Sequence, residues 1–306
     1  MDDQIRRRLE EISRQTSRGD YGPRAKGMAE EYKTLEGNDS ETFLKAINDY
    51  FNKREHVDEK LIPLLDDLFE NLLRIYIRAH KKDPEIAEYY VSSYLTNIPG
   101  TENTTLFHKS SGLVNASLAF QNVLGSTNPI TLWEVAIKLS LSYNEFLDGL
   151  LGILILLIKC DLELNCSVTQ LKSTYGNRVQ EFNRLLEEYK LPYLSFKHFA
   201  NSKLRNAIAH EKIWLDSEKA IVHYSNKDDA YTMELAEFLM LNTYATYFAD
   251  IYYTTLTVIA LFMTGTKEEK SKIPAKLIEM MKRAESTYQG TVLKVKLTHT
   301  KGSVRR

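Results

Sequence analysis

Cysteine is nearly missing: Cys160 and Cys166 are the two in 306 residues. That number excludes a disulfide framework and a four-cysteine zinc site. Free thiols suit a reducing compartment, and we expect a cytoplasmic protein. Glycine and proline are also scarce, at 13 and 7 residues, where the two together ordinarily make up roughly 12% of a chain. Few breakers favour long helices over a turn-rich sandwich or barrel. An excess of one charge is lacking too, since 40 Lys/Arg face 41 Asp/Glu. The chain as a whole is therefore not a basic nucleic-acid binder. The opening residues MDDQIRRRLEEISRQ are charged and hold no apolar core, so no secretory leader is expected.

Long apolar runs are few. Tyr244 to Met263 spans twenty residues with the single charge Asp250, but it carries four threonines and four tyrosines. No basic cluster flanks its N-terminal side. A buried central helix explains it better than a membrane span, and no membrane partner is expected. Leu150 to Ile158 is too short to span and reads as another buried helix.

What is present is a foldable helical chain. Hydrophobic residues make up 43% and charged residues 26%, a balance that excludes disorder and collagen. Asp2 to Arg18 reads as a polar helix or arm. Phe43, Ile47, Tyr50 and Phe51 recur at helical spacing, as do Leu64, Leu65, Leu68, Leu72, Ile75 and Tyr76 within Leu61–His80. Asp83-Pro84 predicts a helix start, with the aspartate as cap and the proline in the first turn. Further helices are expected over Leu106–Leu124, Ile130–Leu164, Val168–Lys190 (from the capping-box spacing of Ser167 to Gln170), and Asn201–Glu211. Two β-type runs follow, Lys212–Leu215 and Ala220–Tyr224, with the turn-like Asp216–Lys219 between them. Thr232 is expected to cap a long helix to about Met263. A last helix over Glu269–Tyr288 and a short strand at Leu293–Leu297 complete the pattern.

Gly125 to Pro129 gathers five turn-forming residues and is the best candidate boundary. It divides the chain into a helical domain of unknown role (1–128), a second helical unit (129–265), and a C-terminal helix with a basic tail (266–306). From Gly265 onward there are 11 Lys/Arg against 4 Asp/Glu. After Glu285 no acid occurs, while Lys294, Lys296, Lys301, Arg305 and Arg306 follow. Such a tail can meet phosphates, or simply be a solvated terminus.

One segment carries chemistry: Lys203-Leu204-Arg205-Asn206-Ala207-Ile208-Ala209-His210. On a helix Leu204 and Ile208 share the apolar face, while Asn206 and His210, also four apart, point elsewhere. Asn206 is expected to hydrogen-bond the imidazole and fix its tautomer. Arg205 lies about 140° around from His210, so a second copy would complete the site more easily than one helix alone. Neutral imidazole, with an ordinary pKa near ~6.5, suits a general base that deprotonates a ribose 2′-hydroxyl. A guanidinium clamps phosphate oxygens in pairs. No HExxH or CxxC spacing occurs, and no metal or other cofactor is expected.

The stretch Arg205-Asn206-Ala207-Ile208-Ala209-His210 resembles the RNA-cleaving motif of the HEPN superfamily, which is arginine, four to six residues, then histidine. The likeness covers about Pro129 to Met263. It implies a HEPN-like helical bundle for that part, so the expected fold is all-α with a small β-hairpin, the bundle preceded by a second helical domain that the likeness does not cover. It also implies a metal-independent endoribonuclease that leaves 2′,3′-cyclic phosphate and 5′-hydroxyl ends, with Arg205, His210 and Asn206 catalytic. Many members act as homodimers with a composite cleft, in phage defence, in abortive infection or as toxins, so RNA and an antitoxin or activating ligand are the implied partners. Other members bind nucleotides or scaffold partners without cutting, and this second reading stays open.

Supporting candidates are weaker. Glu145 and Asp148 on the preceding helix are placed to orient Arg205 or His210, or to form an exposed acidic face. Glu134 and Lys138 are an i, i+4 pair that either lines the cleft or merely supports the helix. Lys203 shares the face of Asn206 and His210 and is a candidate RNA contact. His198 is either structural or substrate-side, and His223 and His299 are expected to be silent. Trp214 is expected to pack the hairpin on the bundle, and no aromatic cluster on an exposed strand face announces a base platform. The 18 tyrosines read as core and interface filling.

Overall fold

The computed structural model describes residues 18, 44–45, 47–49, 51, 59, 62–95, 106–167, 173–191, 201–226, 229–264, 266–285 and 300–301. The expected N-terminal arm, the start near Val168, the strand at Leu293–Leu297, His198 and His299 lie outside these residues. The described chain is mostly helical, with one small antiparallel sheet.

Helix α1 (Ile62–Lys82) buries the apolar set that its periodicity predicts, from Leu64 through Tyr76. The next helix, α2 (Pro84–Leu95), starts as its sequence requires. Asp83 Oδ1 accepts from the Glu85 and Ile86 amides at 3.0 and 3.1 Å, one acceptor shared by two of the amides that a helix start leaves unpaired. α3 (Leu106–Val123) and α4 (Pro129–Asp161) form a helical hairpin around the turn at Gly125–Asn128. Asn128 caps α4 by accepting from Ile130 and Thr131 at 2.9 and 3.4 Å. At Gly149 the two helices come close, and a Cβ there would stand 2.6 Å from Leu106 Cδ2.

Leu150 to Ile158 is buried throughout. Among the described residues, α4 is the one helix long and apolar enough to cross a bilayer, and 72% of its most apolar stretch is covered by protein. The other long apolar helix, α7 (Leu235–Thr264), packs against α1, α2, α3 and α4. Its threonines are compatible with the interior because they bond back along the helix. Thr254, Thr255 and Thr257 donate to the carbonyls of Asp250, Ile251 and Tyr253 at 2.7–2.9 Å. Rings tie these helices together: Tyr90 meets Tyr252 edge-on at 5.8 Å, and Phe146 meets Tyr252 at 4.9 Å. Buried side chains on both sides of Gly125–Pro129 join one hydrophobic cluster, so no break in the core marks that turn.

Two expectations need correction. The single helix expected over Val168–Lys190 is not continuous: Ser173 and Thr174 lie outside any helix, and α5 (Tyr175–Glu188) starts after them, with Thr174 as the cap that accepts from Asn177 at 3.4 Å. Thr232 caps nothing. It lies in strand β3 (Asp229–Glu234), which pairs antiparallel with β2 (Ile221–Asn226), itself paired with β1 (Ile213–Asp216). The hairpin is thus three strands long, and a two-residue strand β4 (Thr300–Lys301) pairs with Thr232 and Tyr231 at its edge. The reason is the core. Tyr231 and Met233 alternate inward beside Val222 and Tyr224, and a helix at Thr232 would not put them on one face. Two short helices, α8 (Lys267–Ser271) and α9 (Ala275–Glu285), follow α7, with α9 against α1.

Candidate functional site

Helix α6 (Ser202–Ala209) carries the Arg205–His210 segment between α4, α5 and β2. Asn201 starts it by accepting from the Leu204 amide at 3.0 Å. Leu204, Ala207 and Ile208 are buried and hold it on the bundle. The helix stops two residues short of the expected Glu211. His210 is its C-cap, with φ −107°, and Glu211 takes the left-handed conformation at φ 55°. The Lys212 amide then donates to the Ala207 carbonyl at 2.7 Å, the six-to-one bond of a Schellman turn. A non-glycine residue in that conformation is strained, and here the strain turns the chain from α6 straight into β1. His210 is left exposed at the corner.

Arg205 is half-buried, and its neighbours are not the expected ones. Its Nη1 donates to Asn206 Oδ1 at 3.3 Å. Asn206 therefore grips the arginine, where the sequence suggested that it would hold the imidazole. The guanidinium carbon lies 5.9 Å from the centre of the Tyr175 ring. Tyr175 in turn donates to Asn144 Oδ1 at 2.7 Å, and Asn144 Nδ2 donates to the Ser140 carbonyl at 2.7 Å. A polar relay thus runs from α4 through α5 to Arg205. Burial pushes the Tyr175 phenol far above its ordinary range; the Asp148 charge adds to this and Arg205 opposes it. The phenol stays protonated and remains a donor. Arg205 Nε is buried without a partner among the described residues.

Of the acidic candidates on α4, Asp148 is engaged by α5. Asp148 Oδ1 accepts from Arg178 Nη1 at 2.7 Å, and the same nitrogen donates to the Asp148 carbonyl at 2.6 Å. Asp148 therefore positions α5 and orients neither Arg205 nor His210. Glu145, Glu134 and Lys138 are exposed. The α4 residues that line a cavity of about 20 Å³ together with Asn201 and Leu204 are Ser140, Tyr143 and Asn144. Lys203 turns to the sheet: its Nζ donates to the Tyr231 hydroxyl at 2.8 Å and sits 4.8 Å from that ring's centre, while the hydroxyl donates to Asp229 at 2.8 Å.

Sequence reasoning missed Tyr175, Asn144 and Arg178. Tyr175 looked like one more core tyrosine, and Asn144 stood beside the acid Glu145, which drew attention away from it. It also misplaced Trp214, which is 55% exposed and stacked on His223, with the rings 5.2 Å apart and 5° from parallel. Among the described residues no group of three or more His, Cys, Asp or Glu side chains is placed to hold a metal ion. No protein-family model matches the chain, no curated protein matches it in sequence, and no solved structure matches it in fold.

Proposed function

We propose that the protein is a HEPN-type endoribonuclease that cuts RNA without a metal. The observation that carries this reading is the pairing of an exposed His210, at the end of α6, with an Arg205 held in place by Tyr175 and Asn206. His210 takes the proton from a ribose 2′-hydroxyl. The 2′-oxygen attacks the adjacent phosphorus, and Arg205 stabilises the charge on the phosphoryl oxygens. The bond to Asn206 uses one N–H of Nη1, so the other N–H of Nη1 and the two of Nη2 are the donors for the phosphate. The bond to the 5′-oxygen breaks, that oxygen gains a proton, and the ends are a 2′,3′-cyclic phosphate and a 5′-hydroxyl. Asn206 acts as a positioning residue for the arginine. A second protomer completes the cleft with its own Arg205 and His210. Such an enzyme suits phage defence or a toxin role in the cytoplasm, restrained by an antitoxin or released by an activating ligand.

The test is incubation of the purified protein with total RNA in EDTA beside His210→Ala. Cleavage by the wild type alone, leaving cyclic-phosphate ends, is the expected result. Intact RNA with both proteins, across added cell extracts as a source of activator, counts against it and favours the non-catalytic nucleotide-binding or scaffold reading.

A further inference from the structure

The sheet has two unlike faces. One is packed: Val222, Tyr224, Tyr231 and Met233 are buried against the helices. Cross-strand partners share a face, so Trp214, opposite His223, and His223, opposite Thr232, form a row on the other side. There Trp214 is 55% exposed. His223 lies parallel to it at 5.2 Å and braces one face of the indole, leaving the other face open. Trp214 adds nothing to the core, and an indole held flat and open to water is an arrangement suited to receiving another flat ring.

We propose that Trp214, backed by His223, is a stacking platform for a base of single-stranded RNA. The inference rests on the ribonuclease reading for its choice of nucleic acid and adds to it a place where the substrate strand is held. Charge supports the choice. Lys212 is exposed at the start of β1. A single strand asks for this pair of features, cations for the backbone and an open aromatic face for a base. Bases in a duplex are already stacked and have no face to offer. Location supports it as well. Trp214 follows His210 by four residues, a chain span of at most about 14 Å, so one strand can lie on both. In this arrangement the platform is a specificity and positioning element, and the reacting atoms stay with Arg205 and His210.

The experiment uses the full chain with His210→Ala, so that RNA survives the measurement. Labelled oligouridylate and oligoadenylate of about 12 nucleotides, within the span of single-strand sites, are titrated by fluorescence polarisation beside a duplex of equal length. Trp214→Ala is expected to weaken single-strand binding about 5- to 160-fold, the range of one lost base–aromatic stack. Trp214→Phe should restore most of it, and duplex binding should not change. Binding should also quench indole fluorescence, a signal lost in Trp214→Phe, because the other tryptophan, Trp133, is half-buried on α4 against Phe238. Equal single-strand affinity in Trp214→Ala and its parent overturns the platform, even if the wild type cleaves RNA. A lower melting temperature with unchanged affinity does the same and makes the pair a hairpin brace. No single-strand binding by the parent also overturns it. If the wild type cleaves nothing but the Trp214 effect holds, the ribonuclease reading fails and the platform stands.

Discussion

The Arg205 guanidinium lies over the Tyr175 ring, 5.9 Å from its centre, and the Tyr175 hydroxyl is bonded to Asn144 at 2.7 Å. One tyrosine therefore does two separable things. Its ring seats the arginine of α6 on α5, and its oxygen locks α5 to α4.

Two variants separate these roles. Tyr175→Phe keeps the ring and leaves the buried Asn144 oxygen without its donor, so it should destabilise the fold by about 1–3 kcal/mol with little change in cleavage by the folded fraction. Tyr175→Leu removes the ring as well, and cleavage should fall a further roughly 2- to 30-fold, the range of a cation–π contact. Urea unfolding beside RNA cleavage rates reads both. Equal activity in the two variants would show that Tyr175 does not position Arg205.

A shared cleft predicts rescue between protomers. Arg205→Ala and His210→Ala should each be inactive alone, and mixing them should restore part of the activity through one intact composite site. Tagged co-purification establishes that mixed dimers have formed. Mixed dimers without activity would place each complete site within one chain.

Acid should unmask Glu181. Arg184 holds its carboxylate at 2.8 and 3.1 Å and Lys159 at 2.7 Å. The bond from Arg184 is the main cause, with Lys159 helping and partial burial opposing, and together they bring the carboxyl down to about 2. A group lowered on folding stabilises the fold above its unfolded pKa and loses that contribution as pH falls through its folded one. The gap in urea midpoint between wild type and Glu181→Gln should be full above pH ~4.5 and close toward pH ~2. A gap that stays constant over this window would rule out the ion pair as its source.

The turn between β1 and β2 holds Ala220 at φ 52°. Glycine adopts that conformation without a Cβ penalty, though it gives up more chain entropy, so Ala220→Gly should stabilise by about 0.5–1 kcal/mol. Ala220→Val should destabilise by about 1 kcal/mol or more, since a branched Cβ is worse placed there. Thermal unfolding of both tests the sign, and stabilisation by valine would contradict the turn geometry.

Much of the helical frame was legible in the residues. The spacing of Leu64 to Tyr76, the Asp83-Pro84 start and the Asn128-Pro129 start each depend on neighbours within a turn or two, and local physics decides them. Burial of Leu150–Ile158 followed from composition alone. The sequence also confined the candidate site to Arg205, Asn206 and His210. Tertiary structure decided the rest. Thr232 has the side chain of a cap, and it became a strand residue because Tyr231 and Met233 needed the sheet's inner face. Asp148 turned to Arg178 because a short polar group bonds the partner that the packing of α5 on α4 brings near, while Asn206 bonds its neighbour Arg205 within α6. Trp214 stands outward because its flanking residues Ile213 and Leu215 sit opposite Tyr224 and Val222, whose side chains fill the inner face. Alternation within one strand is a local property. Which of its two faces meets the core is settled only when the sheet docks on α6 and α7, a contact between separate elements that no single strand specifies.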